Sequence, residues 1–326
     1  MIDASQQMPV AADPRLFRKR WDFRKLGLII TPRPALWWMR SHAMIPTLQR
    51  IDAQHAKVYF SGRDDRNRSH IGYAIVNLDA AADDPSRAVV DFSAEPVLSL
   101  GELGAFDDNG VTPSCAIEEG GRLRLYYIGW NSGSTVRMKL FGGLAISDDG
   151  GESFQRWSRA SILDRIDIEP FLNTAPYVVR TDSGFRVYYV ACIGWVNPDL
   201  PRYHLRSAES DDGLTWRREG HVCIDFRGPG ENALARPVVM RDGPVWRMWF
   251  AHKGDAYRFG YAESLDGLNW VRDDGFAGLD VSPGGFDSDM VEYAALMRHR
   301  DHVFMFYNGN DYGRGGIGLA IADGRA

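Results

Sequence analysis

The sequence predicts an all-β chain: a five-bladed β-propeller of four-stranded antiparallel blades, closed by an N-terminal strand. Three observations predict it. A unit of short apolar runs bounded by Gly, Asp or Pro recurs five times. A proline or small residue opens the first run of each unit. A Ser-Asp-Asp-Gly-type turn followed by an aromatic ends three of them. The unit is clearest from Glu231 to Arg272, where RPVVM, VWRMWFAHK, RFGYAES and NWVR are separated by turns and a loop. β-branched and aromatic residues between turn formers read as strands. Such a meander has two open edges and cannot bury both faces alone. Radial repetition supplies the missing neighbours.

Aligned on the opening residue, the units fall at Pro46, Pro113, Pro176, Pro237 and Ala294, roughly 60 residues apart. Second strands follow as KVYFSGRD, RLRLYYIGWN, FRVYYVACIGW, VWRMWFAHKG and HVFMFYNGN. Third strands follow as IGYAIVNLD, FGGLAISDDG, LRSAESDDG, RFGYAESLDG and IGLAIADG. The turns SDDGGESF, SDDGLTW and SLDGLNW begin at Ser147, Ser210 and Ser264. Ser and Asp side chains there bond nearby backbone N–H groups and Gly takes the left-handed position, so these Asp residues read as turn-formers on the outer rim. The fifth unit reaches its third strand by Ala322, and Lys25–Pro32 (KLGLIITP) is the early run able to complete it. The domain reading is therefore a tail over 1–24 and one propeller domain over 25–326.

A chain with 44% hydrophobic and 25% charged residues is globular rather than disordered. Its net charge of −5, with Lys and Arg dispersed, points away from nucleic acid. No apolar run is long enough for a membrane span, and the N-terminus lacks a signal-peptide core. Cys115, Cys192 and Cys223 are odd in number and far apart, which suggests neither a disulfide framework nor a zinc site. The expectation is a reduced, cytoplasmic protein without a cofactor. A ring of carboxylates would nonetheless have the ligand chemistry for an axial Ca²⁺.

In a propeller the loop leading into each first strand opens on one end of the central channel. Five to seven positions before the opening residue stand Asp107 and Asp108, Glu169, Glu231, and Asp287 with Asp289; Glu292 stands two before Ala294. The first unit offers Arg40 and His42 instead. Converging carboxylates repel and raise one another's pKa, which a structural protein does not need. A glycosidase does need a protonated and an ionised carboxyl. The bland alternative is that these acids cap turns or pair with Arg236 and Arg63. A second tier of loops adds Arg63, Asp64 and His70; Trp130 and Asn131; Trp195; His252, Lys253 and Tyr257; and Asn308, Asn310, Tyr312 and Arg314. Aromatic faces beside polar groups suit a sugar ring, although Trp130 and Trp195 fit blade packing equally well.

The runs RDDRNRSHIGYA, GVTPSCAIEEGGRLRLYYIGW, SDDGLTW and FYNGNDYGRGGIGLA resemble the five-bladed propeller glycosidases: the arabinanase and xylosidase group, the invertase and fructosidase group, and the β-mannoside phosphorylases. The likeness extends from about Lys25 to the end and is closest to glycosidase-like proteins of bacterial surface-polysaccharide gene clusters. It implies a carbohydrate-active enzyme acting on a glycosidic bond. Two departures stand out. The first-unit stretch MRSHAMIPT lacks the family's Asp, and Thr112, Pro113 and Ser114 replace the phosphorylases' Asp-Pro-Arg. Glu169 is then the expected general acid, Asp108 an orienting group, and Asp287 or Glu292 the counter-carboxylate, with Asp64 and Glu231 as substitutes. Arg63, Arg236 and Lys253 would hold an anionic or polyhydroxyl group, with His42, Trp130, Trp195, His252, Asn308 and Tyr312 around it. The expected partner is a sugar or activated sugar. Glycosyl transfer from an activated sugar competes with hydrolysis. A sugar-binding propeller without catalysis is the alternative of another class, and a synthase or cyclase is a third.

Overall fold

The structure is a computed structural model and describes residues 13–325; residues 1–12 of the expected tail, and Ala326, lie outside the described residues. Twenty strands form five antiparallel groups. The first strand, β1 (Arg24–Ile30), joins a group at the other end of the chain. The next group is β2 (Ser41–Arg50), β3 (His55–Arg63), β4 (Ser69–Asn77) and β5 (Val89–Phe92). It is followed by β6 (Gly110–Glu119), β7 (Arg122–Ser132), β8 (Met138–Ser147) and β9 (Gln155–Arg156). The third comprises β10 (Asn173–Thr181), β11 (Gly184–Asn197), β12 (Leu200–Ser210) and β13 (Val222–Ile224). The fourth comprises β14 (Ala233–Asp242), β15 (Val245–Lys253), β16 (Tyr257–Ser264) and β17 (Val271–Arg272). The last holds β18 (Glu292–His299), β19 (His302–Asn308) and β20 (Ile317–Asp323). There β1 runs antiparallel to β20, with Arg24 opposite Ile321 and Ile30 opposite Ile317.

Each group is a meander in which one strand hydrogen-bonds the next. Single parallel bridges link neighbouring groups: Ser69 faces Gly110, Phe141 faces Asn173, and Tyr203 faces Ala233. The first strands pack in succession, β2 on β6, β6 on β10, β10 on β14, β14 on β18, and β18 back on β2. Asn308 on β19 fixes that last junction. Fully buried, it accepts from the Ile45 N–H at 2.7 Å and donates to the carbonyls of Ala43 and Gly316, both at 2.8 Å.

The rim turns join one group to the next. In each, the Asp accepts two backbone N–H bonds: Asp149 from Glu152 and Ser153, Asp212 from Leu214 and Thr215, and Asp266 from Leu268 and Asn269. The turn glycine then offers its carbonyl to a tyrosine hydroxyl on the second strand of the preceding group. Tyr59 reaches Gly151 at 3.2 Å, Tyr126 reaches Gly213 at 2.9 Å, and Tyr188 reaches Gly267 at 2.7 Å. The three hydroxyls are buried, so each bond satisfies a donor that water cannot reach.

The stretch read as a tail is, in its described part, packed. Trp21 is 2% exposed and stacks on Trp249 with ring centroids 5.5 Å apart. Arg247 and Arg298 lie against its faces, and the Phe17 N–H donates to Glu263 at 2.6 Å. The signal was an aromatic spacing, Phe17, Trp21 and Phe23, with no strand pattern to carry it. The three cysteines are buried free thiols, and burial pushes Cys115 up to about 11. Among the described residues no helix is long and apolar enough to cross a membrane.

Candidate functional site

Every first strand carries an irregularity where it approaches the middle of the molecule. Register shifts fall at Met44/Thr47, Pro113/Cys115, Thr174/Tyr177, Ala235/Val238 and Glu292/Ala295. In four of the five, the residue just before the opening position has positive φ: Ile45 (58°), Ala175 (51°), Arg236 (50°) and Tyr293 (56°). A bulge re-aims a side chain, and a left-handed non-glycine residue is a strained conformation that the surroundings must hold. All four of these residues line one cavity of about 230 Å³. In β6 the matching Thr112 is instead buried and accepts from Trp130 Nε1 at 2.7 Å.

The cavity wall is made of apolar and aromatic groups with a few polar ones. Met44, Ile128, Leu140, Leu172 and Val190 give it an apolar side; Trp130, Tyr203, Tyr257, Tyr293 and Tyr312 give ring faces and hydroxyls; Arg63, Arg137, Arg236 and Lys253 give positive charge. The Tyr203 and Tyr257 hydroxyls are 2.7 Å apart. Asp199, on the β11–β12 hairpin, is the ionisable carboxyl in the lining. A side pocket of about 190 Å³ shares Met44, Arg63, Trp130, Arg137 and Met138, and adds Asn67, Ser69, Asn109, Asn131 and Ser132. Arg236 closes the floor. It is 2% exposed and donates to the carbonyls of Ser114 (2.5 Å) and Pro46 (2.6 Å) and to the Thr47 hydroxyl (2.9 Å).

The carboxylates expected at the channel mouth lie elsewhere. Asp107, Glu169 and Asp287 form one repeated arrangement behind the cavity wall. Each is buried, accepts from a tyrosine of its group's second strand, and faces a cation. Asp107 takes Tyr127 (2.9 Å) and Arg156 (2.8 Å); Asp287 takes Tyr307 (2.9 Å) and Lys25 (2.6 Å). Glu169 takes Tyr189 at 2.5 Å, Arg206 at 3.1 Å and Arg218 at 3.0 Å. Glu231 is held by Arg272, by His252 Nδ1 at 2.9 Å, and by the Arg227 N–H at 2.9 Å. Asp64 sits in its own turn, accepting from the Arg66 and Arg68 N–H groups, the Arg68 guanidinium and His70. Asp108 accepts from the Gly104 N–H and from Asn131, both at 2.9 Å. Each of these carboxyls has a protein partner, although Asp107 Oδ1 has none among the described residues, and none of these six residues lines the cavity.

Glu292 is the exception. It is 0% exposed, and neither side-chain oxygen has a hydrogen-bond partner among the described residues. Burial raises its pKa well above the ordinary glutamate value; Tyr293 and Lys253 oppose the shift without cancelling it. Burial thus favours the protonated carboxyl, beside Tyr203, Tyr257 and Tyr293, whose own pKa values burial raises.

Of the expected binding residues, Arg63, Trp130, Arg236, Lys253 and Tyr312 line the cavity. Asn308 is the structural pin described above, and His252 belongs to Glu231. Trp195 is half-buried and packs against an apolar cluster that includes Met44, Ile45, Ile128 and Leu140, without itself lining the cavity. His42 lies half-buried, its Nδ1 2.9 Å from the Ser41 hydroxyl, and burial, then Arg63 and Arg314, push its pKa down to about 4. Sequence reasoning missed Arg137, Tyr203, Tyr293 and Asp199. For Tyr293 a signal existed: in four of the five units the residue immediately before the opening position reaches the cavity, not the one six before. Among the described residues no three or more His, Cys, Asp or Glu side chains come together as metal ligands.

Comparison places this arrangement among propeller-type glycoside-hydrolase folds. The chain superposes on a glycosyl hydrolase from Bacteroides ovatus with TM-score 0.70 and 13% identity, over 94% of each chain. For a thermostable family-43 glycoside hydrolase the values are 0.61 and 15%, over 86% of this chain and 89% of that one. For a structure of the GH130 family of mannoside phosphorylases, containing glycoside hydrolases that target β-1,2 mannosidic linkages in Candida mannan, they are 0.69 and 14%, over 94% of both. No family model matches the sequence. Two Mycobacterium tuberculosis proteins do: uncharacterized protein Rv1502 (strain ATCC 25618 / H37Rv) and uncharacterized protein MT1551 (strain CDC 1551 / Oshkosh). Each is 40% identical over 302 residues, covering 92% of this chain and 99% of the relative. The chain belongs to their family.

Proposed function

We propose that this protein is a carbohydrate-active enzyme acting on a glycosidic bond, built as one five-bladed propeller over residues 25–326 with β1 closing the ring. The cyclic packing of the five first strands and the pairing of β1 with β20 support the architecture. The observation that carries the function is Glu292, a buried, protonated carboxyl on the strand whose next residue, Tyr293, lines the cavity. A glycosidic bond breaks when a carboxylic acid gives its proton to the leaving oxygen while an anionic group serves the other face of the sugar. In this reading Glu292 replaces Glu169 as the acid by relay: the Tyr293 hydroxyl at the cavity gives its proton to the leaving oxygen and takes the Glu292 proton in its place. Trp130 and the tyrosines stack on the sugar's C–H faces. Asp199 is the carboxyl of the lining left for the opposite face. With a single such group in the lining, transfer to an acceptor stands beside hydrolysis.

A panel of 4-nitrophenyl glycosides tests this. Wild type is expected to release nitrophenolate from at least one; on the corresponding alkyl glycoside, whose leaving oxygen needs a proton, Glu292→Gln is expected to lower kcat about 100-fold or more with little change in KM. Saturable sugar binding with no turnover on any member would favour the second reading, a non-catalytic sugar-binding propeller. The pairing of Asp107, Glu169, Glu231 and Asp287 with cations is the observation that favours it.

A further inference from the structure

We propose that the cavity's ligand is an acidic sugar, one bearing a phosphoryl or carboxyl group that is gripped by Arg63, Arg137 and Lys253. This rests on the sugar reading above and names the substrate class for the same site.

Charge is left uncompensated on one side of the cavity wall only. Behind the wall, Arg156, Arg206, Arg218, Arg272 and Lys25 each meet a buried carboxylate. Along the wall the pattern reverses. Arg63 donates to Asn67 at 2.9 Å and approaches Met44 Sδ at 3.8 Å, and Lys253 donates to the Tyr312 hydroxyl at 3.0 Å. The Arg137 guanidinium has no hydrogen bond or ion pair among the described residues. Arg63 and Arg137 line both the cavity and its side pocket; the side pocket holds no carboxyl, and Asp199, the carboxyl of the cavity lining, forms no ion pair with either of them among the described residues. Like charges held together in a partly desolvated pocket repel, and that repulsion becomes attraction when an oxyanion enters. Burial and the nearby Arg137 both depress Arg63, which agrees with this geometry.

A neutral sugar would need only the ring faces and the amide and hydroxyl groups already present. Three cations without acidic partners are surplus to that need, and guanidinium matches phosphate and carboxylate by paired N–H donors. Arg236 is not part of the grip, because its bonds to Ser114, Pro46 and Thr47 are structural. The chain's net charge of −5 argues against a general polyanion surface, so the positive charge is local to the cavity.

The test is binding to the full-length protein at low salt, by thermal shift and calorimetry. The probes are hexose and pentose 1-phosphates, uronic acids, the parent neutral sugars, and inorganic phosphate. Arg137 is exposed, so Arg137→Ala is expected to fold normally; Lys253→Met is the second variant. The proposal expects at least one acidic sugar to bind ten-fold or more tightly than its neutral parent. Both variants should lose that margin, their affinity for the acidic sugar falling ten-fold or more further than their affinity for the neutral parent. The phosphate and uronate arms show which oxyanion is preferred. Binding of neutral sugars alone, undiminished in Arg137→Ala, would overturn the acidic-sugar proposal and leave the sugar reading standing. Inorganic phosphate binding as tightly as any sugar phosphate would overturn it differently, keeping an anion site and removing the sugar. No response to any acidic probe would also overturn it.

Discussion

Glu169 and Glu292 lead into or begin first strands of separate repeats, are equally buried, and face opposite fates. Glu169 meets two arginines and a tyrosine hydroxyl; Glu292 meets no hydrogen-bond partner among the described residues. One has the partners of a structural anchor, the other surroundings that favour a retained proton. The difference teaches that position in a repeat does not set a carboxyl's role. Its partners do, and they arrive from elsewhere in the chain.

The largest effect should come from breaking the anchor. Glu169→Ala leaves Arg206 and Arg218 uncompensated in a buried place, which costs about 3–5 kcal/mol when a buried pair loses one member. A fall in Tm of roughly 10 °C is expected. A change of 1–2 °C would mean that the arginines relax to solvent and that the anchor is dispensable. Next in size is the rim. Gly213 has φ of 72°, and a Cβ there would stand 2.9 Å from the Tyr126 hydroxyl. Gly213→Ala should cost about 1–3 kcal/mol in urea unfolding, through strain and the disturbed Tyr126 bond.

Glu292→Gln sharpens the comparison through pH. The Glu292 carboxyl keeps its proton on folding, so its contribution is fully present below the ordinary value of about 4.3 and is lost as pH rises from there toward the folded value. The glutamine variant lacks that loss. Its stability relative to wild type should therefore grow between pH 5 and pH 8, by up to about 1.4 kcal/mol per pH unit. Parallel stability curves would show that Glu292 is not held protonated. The smallest effect is at His42, whose value of about 4 lies below the ordinary 6.5 or so. A depressed histidine contributes stability above pH 6.5 that is lost as pH falls toward 4. An NMR titration should give a midpoint near 4, and loading the cavity with a bound anion should raise it. A midpoint near 6.5 would mean that His42 is not buried beside Arg63.

Much of the fold could be read from the chain because its signals are local. Pro46, Pro113, Pro176, Pro237 and Ala294 mark the first strands, and the Ser-Asp-Asp-Gly turns act within a few residues of themselves. Less of the site was legible. Five expected residues, Arg63, Trp130, Arg236, Lys253 and Tyr312, line the cavity, all but Arg236 near the ends of second strands or the loops that follow. The expected carboxylates do not, because Lys25 finds Asp287 and Arg156 finds Asp107 only once distant segments meet. Arg137 and Asp199 sit on hairpins whose reach over the cavity depends on their neighbours' geometry.

By itself the sequence determined the repeat: turn chemistry and alternating apolar runs act over a few residues, so they survive without tertiary context. Tertiary structure alone decided which charges face one another. Electrostatic roles depend on distance and burial, and the bulged first strands with their left-handed residues set both. They turn Tyr293 into the cavity, leave Glu292 protonated behind it, and leave Arg63, Arg137 and Lys253 without the carboxylates that the same chain supplies to the cations behind the wall.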